Sequence, residues 1–210
     1  VDDGRFAIGA ALIHLGFAPN TQDVKQIEQA GHFLRSIGDR VVVVESRRLR
    51  RMLEAGTTDL ALASSGDVTR VMRKNKRVRL SLPVQGSIQF KDVFVLPRTP
   101  AEKEAAAQGQ ERPVEKDNRA LAFIDFLLTP EVAAEVSNFS CHANTIPASL
   151  PYVDRFVAHG PAYFMNPGGR DVAMEDLAEH NADFDRVWTE VMQAWPATVR
   201  LDTTMNRHER

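Results

Sequence analysis

The chain has 210 residues, of which 43% are hydrophobic and 26% are charged, and its formal net charge is −2. This composition is ordinary for a globular protein with a sizeable core, and the near-neutral charge excludes a global attraction to nucleic acid or anionic membranes. The single cysteine, Cys141, excludes an intrachain disulfide and a structural zinc site made of several cysteines. No apolar run approaches the length of a membrane-spanning helix.

The chain begins with two predicted helices, each preceded by residues that can cap it. Asp2 or Asp3 precedes a helix over 5–15, and the polar segment 20–23 precedes a second helix whose apolar residues keep helical spacing up to Ile37. The apolar face of the second helix is expected to contact a core.

Short apolar runs that alternate with these and later helices predict strands of an α/β sheet. The predicted strands cover 41–44, 59–63, 78–82 and 88–96. The spacing of helices between them is typical of a sheet with crossover connections.

A predicted helix over 47–55 carries four arginines, Arg47, Arg48, Arg50 and Arg51. Such a cluster is typical of a phosphate site or of a solvated helix face. The solvated face is favoured here, because no aromatic residues are interleaved and the chain is not basic overall.

The second half of the chain is predicted to be mainly helical after a charged excursion. The segment 98–116 is expected to be mobile, and it is followed by a helix that starts at Asp117 or Asn118 and restarts at Pro130. Two further helices are expected over 172–179 and 182–194, the last with an apolar stripe that indicates a core face, before a loose tail.

The stretch 61–68 is the first candidate for a functional site. An apolar run ends there in small residues, and Asp67 follows Gly66 where a helix is expected to begin. Such strand-to-helix turns hold ligands in α/β proteins, but an aspartate there can equally be a helix cap. A second aspartate, Asp92, lies in the later apolar run near Phe90, and the alternative for Asp92 is a position at the solvated end of a strand.

The sequence lacks the common catalytic motifs, which favours a binding protein without a cofactor over an enzyme. No phosphate loop, GxGxxG, HExxH or GxSxG is present, and the six histidines show no metal-ligand spacing. Cys141 and His142 are adjacent in sequence, which does not by itself form a nucleophile–base pair. Two carboxylates with an aromatic ring nearby instead suit an organic cation.

Six stretches in fixed order resemble the periplasmic polyamine-binding proteins of bacterial ABC importers. They are VDDGRFAIGAALIHLGFAPNT, LALASSGDV, SIQFKDVFVLP, ALAFIDFLLTPEVAAEVSNF, HANTIPASLP and FDRVWTEVMQAW. The resemblance implies a two-lobed α/β fold of the type II periplasmic-binding-protein kind, with the opening part of the first lobe missing from this chain. It further implies second-lobe material over 1–83, a return to the first lobe over 84–139, and a final return to the second lobe over 140–210.

The resemblance also implies the residues that bind the ligand. Asp67 and Asp92 match the family's two amine-binding aspartates, and Phe90 matches a nearby aromatic residue. Three further candidates differ from the family in residue type: Ser64 stands where a tryptophan is usual, Phe6 where an acidic residue is expected, and His142 where a tyrosine is usual.

The function implied by the resemblance is that of the periplasmic substrate-binding component of an ABC importer. It would bind a polyamine or related organic cation between two lobes and dock on a membrane permease, with no nucleic-acid partner and with pairing between chains if the first lobe is truncated. The alternative is a ligand-sensing or interaction module on the same scaffold without a transport role, which the altered residues Ser64, Phe6 and His142 suggest.

Overall fold

The computed structural model describes residues 3–42, 46–97, 99–110, 118–160, 163 and 170–195. The chain forms two compact units, Val1–Lys91 with Phe164–Arg210 and Asp92–Tyr163. It therefore enters the second unit once and then returns to the first. The lobe boundaries after 83 and 139 stay a prediction, as does the missing part of the first lobe. No helix among the described residues is both long enough and apolar enough to cross a bilayer.

The first unit is built mainly of helices. Its elements are α1 (Gly4–His14), α2 (Val24–Ser36), α3 (Ser46–Ala55), α4 (Ser65–Lys74), β1 (Ile88–Gln89), β2 (Val172–Ala173) and α9 (Asn181–Ala194). The predicted helices over 5–15, 24–37, 47–55 and 182–194 are confirmed, with shifts of a few residues at their ends.

Aspartates cap the first two helices, as predicted. The Asp3 carboxylate accepts a hydrogen bond from the Phe6 amide at 3.1 Å, and the Asp23 carboxylate accepts one from the Lys25 amide at 2.9 Å. These bonds satisfy amide groups that have no partner within the helix. Gly16, with φ +83°, follows α1 and allows the chain to leave the helix there.

The main core of the first unit lies where α9 packs against α1 and α2. Its buried residues are Ile8, Ala11, Leu12, Ile27, Ala30, Leu34, Leu177, Phe184, Val187, Val191 and Trp195. The predicted core stripe of the last helix is thereby confirmed. Each large apolar side chain buried in this way stabilises the fold by about 1.5–3 kcal/mol.

Arg5 is a partly buried cation at the edge of this core. Its guanidinium donates hydrogen bonds to the Pro19 carbonyl at 2.7 Å and to Asn20 Oδ1 at 2.8 Å, and it lies 4.1 Å from the centre of the Phe184 ring. Burial lowers the pKa of Arg5 from its usual value. These contacts join the start of α1 to the loop before α2 and to the start of α9.

A short parallel strand pair also joins distant parts of the first unit. Ile88 pairs with Val172 and Gln89 with Ala173. The Asn20 side chain donates to the Ala173 carbonyl at 2.7 Å, which holds β2 against the loop before α2. The predicted helix over 172–179 is wrong, because its first residues form β2 and only Ala178–His180 form a 3-10 turn.

Most of the predicted sheet is not formed by the described residues. The segments 59–63 and 78–82 carry no strand, and only Ile88–Gln89 of the run 88–96 is paired. A strand needs a neighbour for its backbone N–H and C=O groups, and the described residues provide one only to β1. Val93 and Val95 are accordingly 73% exposed. The predicted strand over 41–44 lies partly outside the described residues.

The second unit is helical in its described part. Its elements are α5 (Pro100–Ala107), α6 (Asn118–Leu127), α7 (Pro130–Ser140), a 3-10 turn (Pro147–Tyr152) and α8 (Arg155–Ala158). The predicted helix with a restart at Pro130 is confirmed.

The prediction that 98–116 is only a mobile excursion is wrong for its first half, which contains α5. Thr99 and Glu102 form a capping box there: Glu102 N donates to Thr99 Oγ1 at 3.3 Å, and Thr99 N donates to Glu102 Oε2 at 2.7 Å. Pro100 at the first helical position adds to this local signal.

A buried polar network fixes the loop between α7 and α8. The side-chain nitrogen of Asn144 donates to the Ala133 carbonyl at 3.2 Å and to Ser137 Oγ at 2.9 Å. Its side-chain oxygen accepts from Ser149 Oγ at 2.9 Å and from the backbone N–H of Ile146 at 2.8 Å. Ser137 and Ser149 are buried. Asn144 therefore satisfies polar groups that would otherwise be costly to remove from water.

Replacing Gly31 by alanine is expected to weaken the packing of α2 on α9. A Cβ at this position would lie 2.3 Å from Val187 Cγ1, and Val187 is fully buried. Overpacking of about 1–3 kcal/mol outweighs the better helix propensity of alanine, about 1 kcal/mol. Urea unfolding followed by tryptophan fluorescence measures this loss, because Trp188 and Trp195 both lie in the first unit.

The double variant Gly31→Ala/Val187→Ala supplies the control for that prediction. Removing the valine methyl groups opens space for the new Cβ, so the double variant loses less stability than the sum of the single variants. Equal or greater stability of Gly31→Ala relative to the natural chain contradicts the predicted close contact.

Replacing Asn144 by alanine is expected to destabilise the second unit by about 2 kcal/mol, because two buried serine hydroxyls each lose one hydrogen-bond partner and the Ala133 carbonyl loses a donor. Thr145→Ala, at an exposed neighbouring position, is the matched control and is expected to change stability by less than about 0.5 kcal/mol. Amide hydrogen exchange over 130–160 reports the loss. Similar exchange in the two variants argues against a structural role for the network.

Candidate functional site

Asp67 lies in the first turn of α4, with Ser64 as the residue that caps the helix. The Ser64 hydroxyl accepts a hydrogen bond from the Asp67 amide at 3.2 Å, and the Ser64 carbonyl accepts one from the Val68 amide at 3.1 Å. The alternative that Asp67 is only a helix cap is therefore wrong, because the cap of α4 is Ser64. Its carboxylate instead occupies a position where negative charge is favoured by the helix dipole.

The Asp67 carboxylate is paired with Arg50 of α3. Arg50 Nη1 lies 2.6 Å from Asp67 Oδ1, and the two side chains are 24% and 16% exposed. This short distance is typical of a charge-assisted hydrogen bond. One of the two predicted amine-binding carboxylates is thus neutralised by the chain itself.

The packing of α3 on α4 brings these two residues together. Leu49 and Leu53 of α3 and Val71 of α4 form a small buried cluster. A second ion pair joins the same helices, with Lys74 Nζ 3.1 Å from Glu54 Oε1. The apolar contact therefore sets the distance between the helices, and the ion pairs lie at its margin.

The end of α3 is also joined to the end of α4 by an amide side chain. Asn75 Nδ2 donates to the Leu53 carbonyl at 3.1 Å and to the Glu54 carbonyl at 3.3 Å. These bonds satisfy carbonyl groups that the last turn of α3 leaves without an intrahelical partner.

Phe6 and Phe90 form an aromatic pair in the first unit. Their ring centroids are 5.5 Å apart and the ring planes are perpendicular, which is a favoured edge-to-face geometry. Phe6 is half-buried on α1, and Phe90 is 43% exposed immediately after β1. The position where the family resemblance implies an acidic residue is therefore part of an apolar, aromatic surface.

Asp92 and His142 lie in the second unit. Asp92 is exposed, and no residue in the described part of the chain forms an ion pair or hydrogen bond with its carboxylate. His142 is half-buried and follows Cys141, whose left-handed backbone (φ 60°) ends α7. The His142 amide donates to Ser140 Oγ at 3.2 Å.

The structure brings the predicted site residues together in two local groups. Ser64 contacts Asp67 at the start of α4, and Phe6 contacts Phe90. Arg50 is the residue at this site that sequence reasoning did not assign. In the sequence it belongs only to an arginine cluster, and at a separation of 17 positions no local pattern predicts its pairing with Asp67.

Two further observations limit what these groups can do. Within the described ranges, no cluster of three or more His, Cys, Asp or Glu side chains is placed to hold a metal ion. A shallow groove runs along α2 between Leu15 and Ser36, and none of the six predicted site residues lines it.

Comparison with known proteins gives relatives but no family model, since no model matches the chain. The chain is 27% identical over 170 residues to the putrescine-binding periplasmic protein SpuD of Pseudomonas aeruginosa, which covers 78% of this chain and 42% of that protein. It is 26% identical over 202 residues to the putrescine-binding periplasmic protein PotF of Escherichia coli, covering 91% and 50%. It is 28% identical over 136 residues to the spermidine/putrescine-binding periplasmic protein of Salmonella typhimurium, covering 65% and 35%.

These matches confirm the resemblance to periplasmic polyamine-binding proteins. The relatives are binding proteins and not enzymes, they are periplasmic, and they are consistent with a type II-like binding-protein fold. The chain spans half or less of the length of these relatives.

Replacing Ser64 by alanine tests the position of the helix cap. Loss of the hydroxyl that accepts from the Asp67 amide is expected to cost about 1 kcal/mol of stability in α4. Amide hydrogen exchange over 65–74 measures the change. Ser65→Ala, one residue inside the helix, is the matched control and is expected to leave exchange nearly unchanged. Equal effects of the two substitutions would show that Ser64 is not the cap.

Proposed function

We propose that this chain is part of the substrate-binding component of an ABC importer and binds a polyamine or a related organic cation. The observation that carries the proposal is the similarity to polyamine-binding proteins over 65–91% of the chain in the three relatives described above. In this proposal the partner of the chain is a membrane permease, and the chain itself carries out no covalent chemistry. The relatives are periplasmic putrescine- or spermidine-binding proteins, so the alternative of a sensing module is not favoured.

Asp67 and Asp92 are the proposed ligands of the ammonium groups. A carboxylate stabilises an ammonium group by charge-assisted hydrogen bonds, which are stronger than neutral ones. The exposed Asp92 carboxylate is available for such bonds, whereas Asp67 is available only where its pairing with Arg50 leaves an oxygen or is broken.

Phe6 and Phe90 are the proposed contacts for the uncharged part of the ligand. Aromatic rings bind methylene groups by apolar contact and attract ammonium groups through their electron-rich faces. The half-exposed Phe90 ring supports this role, and the perpendicular Phe6 ring fixes its orientation. In this proposal Ser64 caps the helix that carries Asp67 and so positions that aspartate, and His142 is a proposed neighbour of the ligand.

Isothermal titration of the full chain with putrescine and spermidine tests the proposal. We expect binding by the natural chain, and a loss of affinity of about tenfold or more in Asp92→Asn, because the ammonium group of the ligand would lose its counter-charge. Asp59→Asn is the matched control, because Asp59 is exposed and its replacement changes the net charge equally.

Two outcomes would contradict the proposal. Absence of heat with every amine would remove polyamine binding as the function. Equal affinities in the Asp92→Asn and Asp59→Asn variants would remove Asp92 from the site. Uptake of the amine by cells with and without the protein separates a transport role from binding alone.

A further inference from the structure

The segment 47–79, which contains α3 and α4, concentrates positive charge in a chain whose net charge is −2. It has ten of the 26 lysines and arginines but only three of the 28 acidic residues, so the remainder of the chain is acidic on balance. The overall charge therefore does not describe this part of the first unit. An anionic surface attracts the segment and repels the remainder, which favours one orientation of the molecule on that surface.

Helix α3 carries its arginines on the side that faces solvent. Leu49 and Leu53 are buried on one side of the helix, whereas Arg47 and Arg51 are exposed on the other side, one turn apart. Arg48 is partly buried. Within the described ranges these three arginines form no ion pair with an acidic side chain. Their charges are therefore available to a partner in solution or on a surface.

Helix α4 adds a second row of basic residues beside the first. Arg70, Arg73 and Lys74 are three and four positions apart, so they share one side of α4. Lys74 Nζ lies 3.1 Å from Glu54 Oε1, and Glu54 is three positions after Arg51 on α3. This ion pair places the two rows next to each other. We call the resulting surface the basic face, and its residues are Arg47, Arg48, Arg51, Arg70, Arg73 and Lys74.

The acidic residues of the segment oppose this charge only weakly. Asp67 is paired with Arg50 at 2.6 Å, and Glu54 is paired with Lys74. The third, Asp59, lies in the connection between α3 and α4. The segment therefore keeps a large positive excess after its ion pairs are formed.

The composition of the segment indicates phosphate groups as its partner. Eight of its ten basic residues are arginines, whose planar guanidinium donates paired hydrogen bonds to a phosphate. Among the described side chains of α3 and α4 no large apolar residue is exposed, whereas a protein partner is normally held by a buried apolar centre. The segment has no aromatic residue that could stack on nucleic-acid bases, and the relatives are periplasmic.

We propose that the basic face binds the anionic phospholipid headgroups of a bilayer. Cationic side chains spread over two helices contact several headgroups at once, and this needs no pocket. The inference goes beyond the proposed function and does not depend on amine binding, because no residue of the basic face is a proposed contact of the ligand. Binding to the bilayer that holds a permease raises the local concentration of the chain beside that proposed partner.

Co-sedimentation of the full chain with lipid vesicles tests the inference. Vesicles of equal parts phosphatidylglycerol and phosphatidylcholine are compared with vesicles of phosphatidylcholine alone. We expect binding to the anionic vesicles that weakens as salt is added, and binding to the neutral vesicles that is at least about tenfold weaker.

The variant Arg47→Gln/Arg51→Gln removes two exposed charges of the basic face. Its partition coefficient on anionic vesicles is expected to fall about twentyfold, since each basic residue near such a surface contributes about fivefold. Its affinity for putrescine, measured by titration, is expected to stay within about twofold of the natural value.

Two further variants are the matched controls. Arg119→Gln/Arg155→Gln changes the net charge equally at exposed positions of the second unit and is expected to lower the partition coefficient less than about threefold. Arg47→Lys/Arg51→Lys keeps the charge of the basic face, so its coefficient is expected to stay within about threefold of the natural one.

Three results overturn the inference: equal binding to anionic and neutral vesicles or to neither, equal losses in the two double glutamine variants, or equally tight binding of poly-glutamate, which assigns the face to acidic proteins. If Arg47→Gln/Arg51→Gln does not fold, Arg47→Gln alone provides the test, because it only removes a cation that the dipole of α3 disfavours. A loss of about fivefold is expected, and no loss overturns the inference. Vesicle binding without amine binding contradicts the proposed function alone.

Discussion

The packing of α9 on α1 and α2 is the constraint on which the first unit depends. Phe184, Val187 and Val191 cover apolar residues that lie about 160 positions earlier in the chain. The same return of the chain sets β2 beside β1. Phe6 lies on α1 and Phe90 directly follows β1. The packing of α9 on α1 and the pairing of β2 with β1 therefore both position the aromatic pair of the candidate site. The apolar face of α1 would face water if α9 were lost, and the pair would lose its support.

Helices could be predicted from this sequence far better than strands, for a physical reason. A helix satisfies its backbone hydrogen bonds within the segment, so local signals such as Asp3, Asp23 and Pro130 are enough to place its start. A strand needs a partner elsewhere in the chain, and periodicity alone cannot supply one. The apolar runs 59–63 and 78–82 have the composition of strands but find no partner among the described residues.

The candidate site could be predicted in its residue types but not in its pairings. Asp67 is conspicuous in the sequence because it follows a glycine at the start of a helix, yet the residue that caps α4 is Ser64, whose hydroxyl accepts a hydrogen bond from the Asp67 amide. The contact between Phe6 and Phe90 and the ion pair between Arg50 and Asp67 both join residues distant in sequence. Only packing brings such residues together, so neither contact has a local signal.

The two aspartates that look equivalent in sequence are therefore unequal in physical terms. A carboxylate that is already paired with a protein cation binds a second cation weakly. Removing the ligand from water costs free energy, and only an unpaired carboxylate offsets that cost by its charge. Asp92 meets this condition among the described residues and Asp67, held by Arg50, does not. At identities of 26–28% to the relatives, the fold can be retained while the charged residues beside a carboxylate change. In the proposed function, the basic residue beside an aspartate therefore matters as much as the aspartate itself.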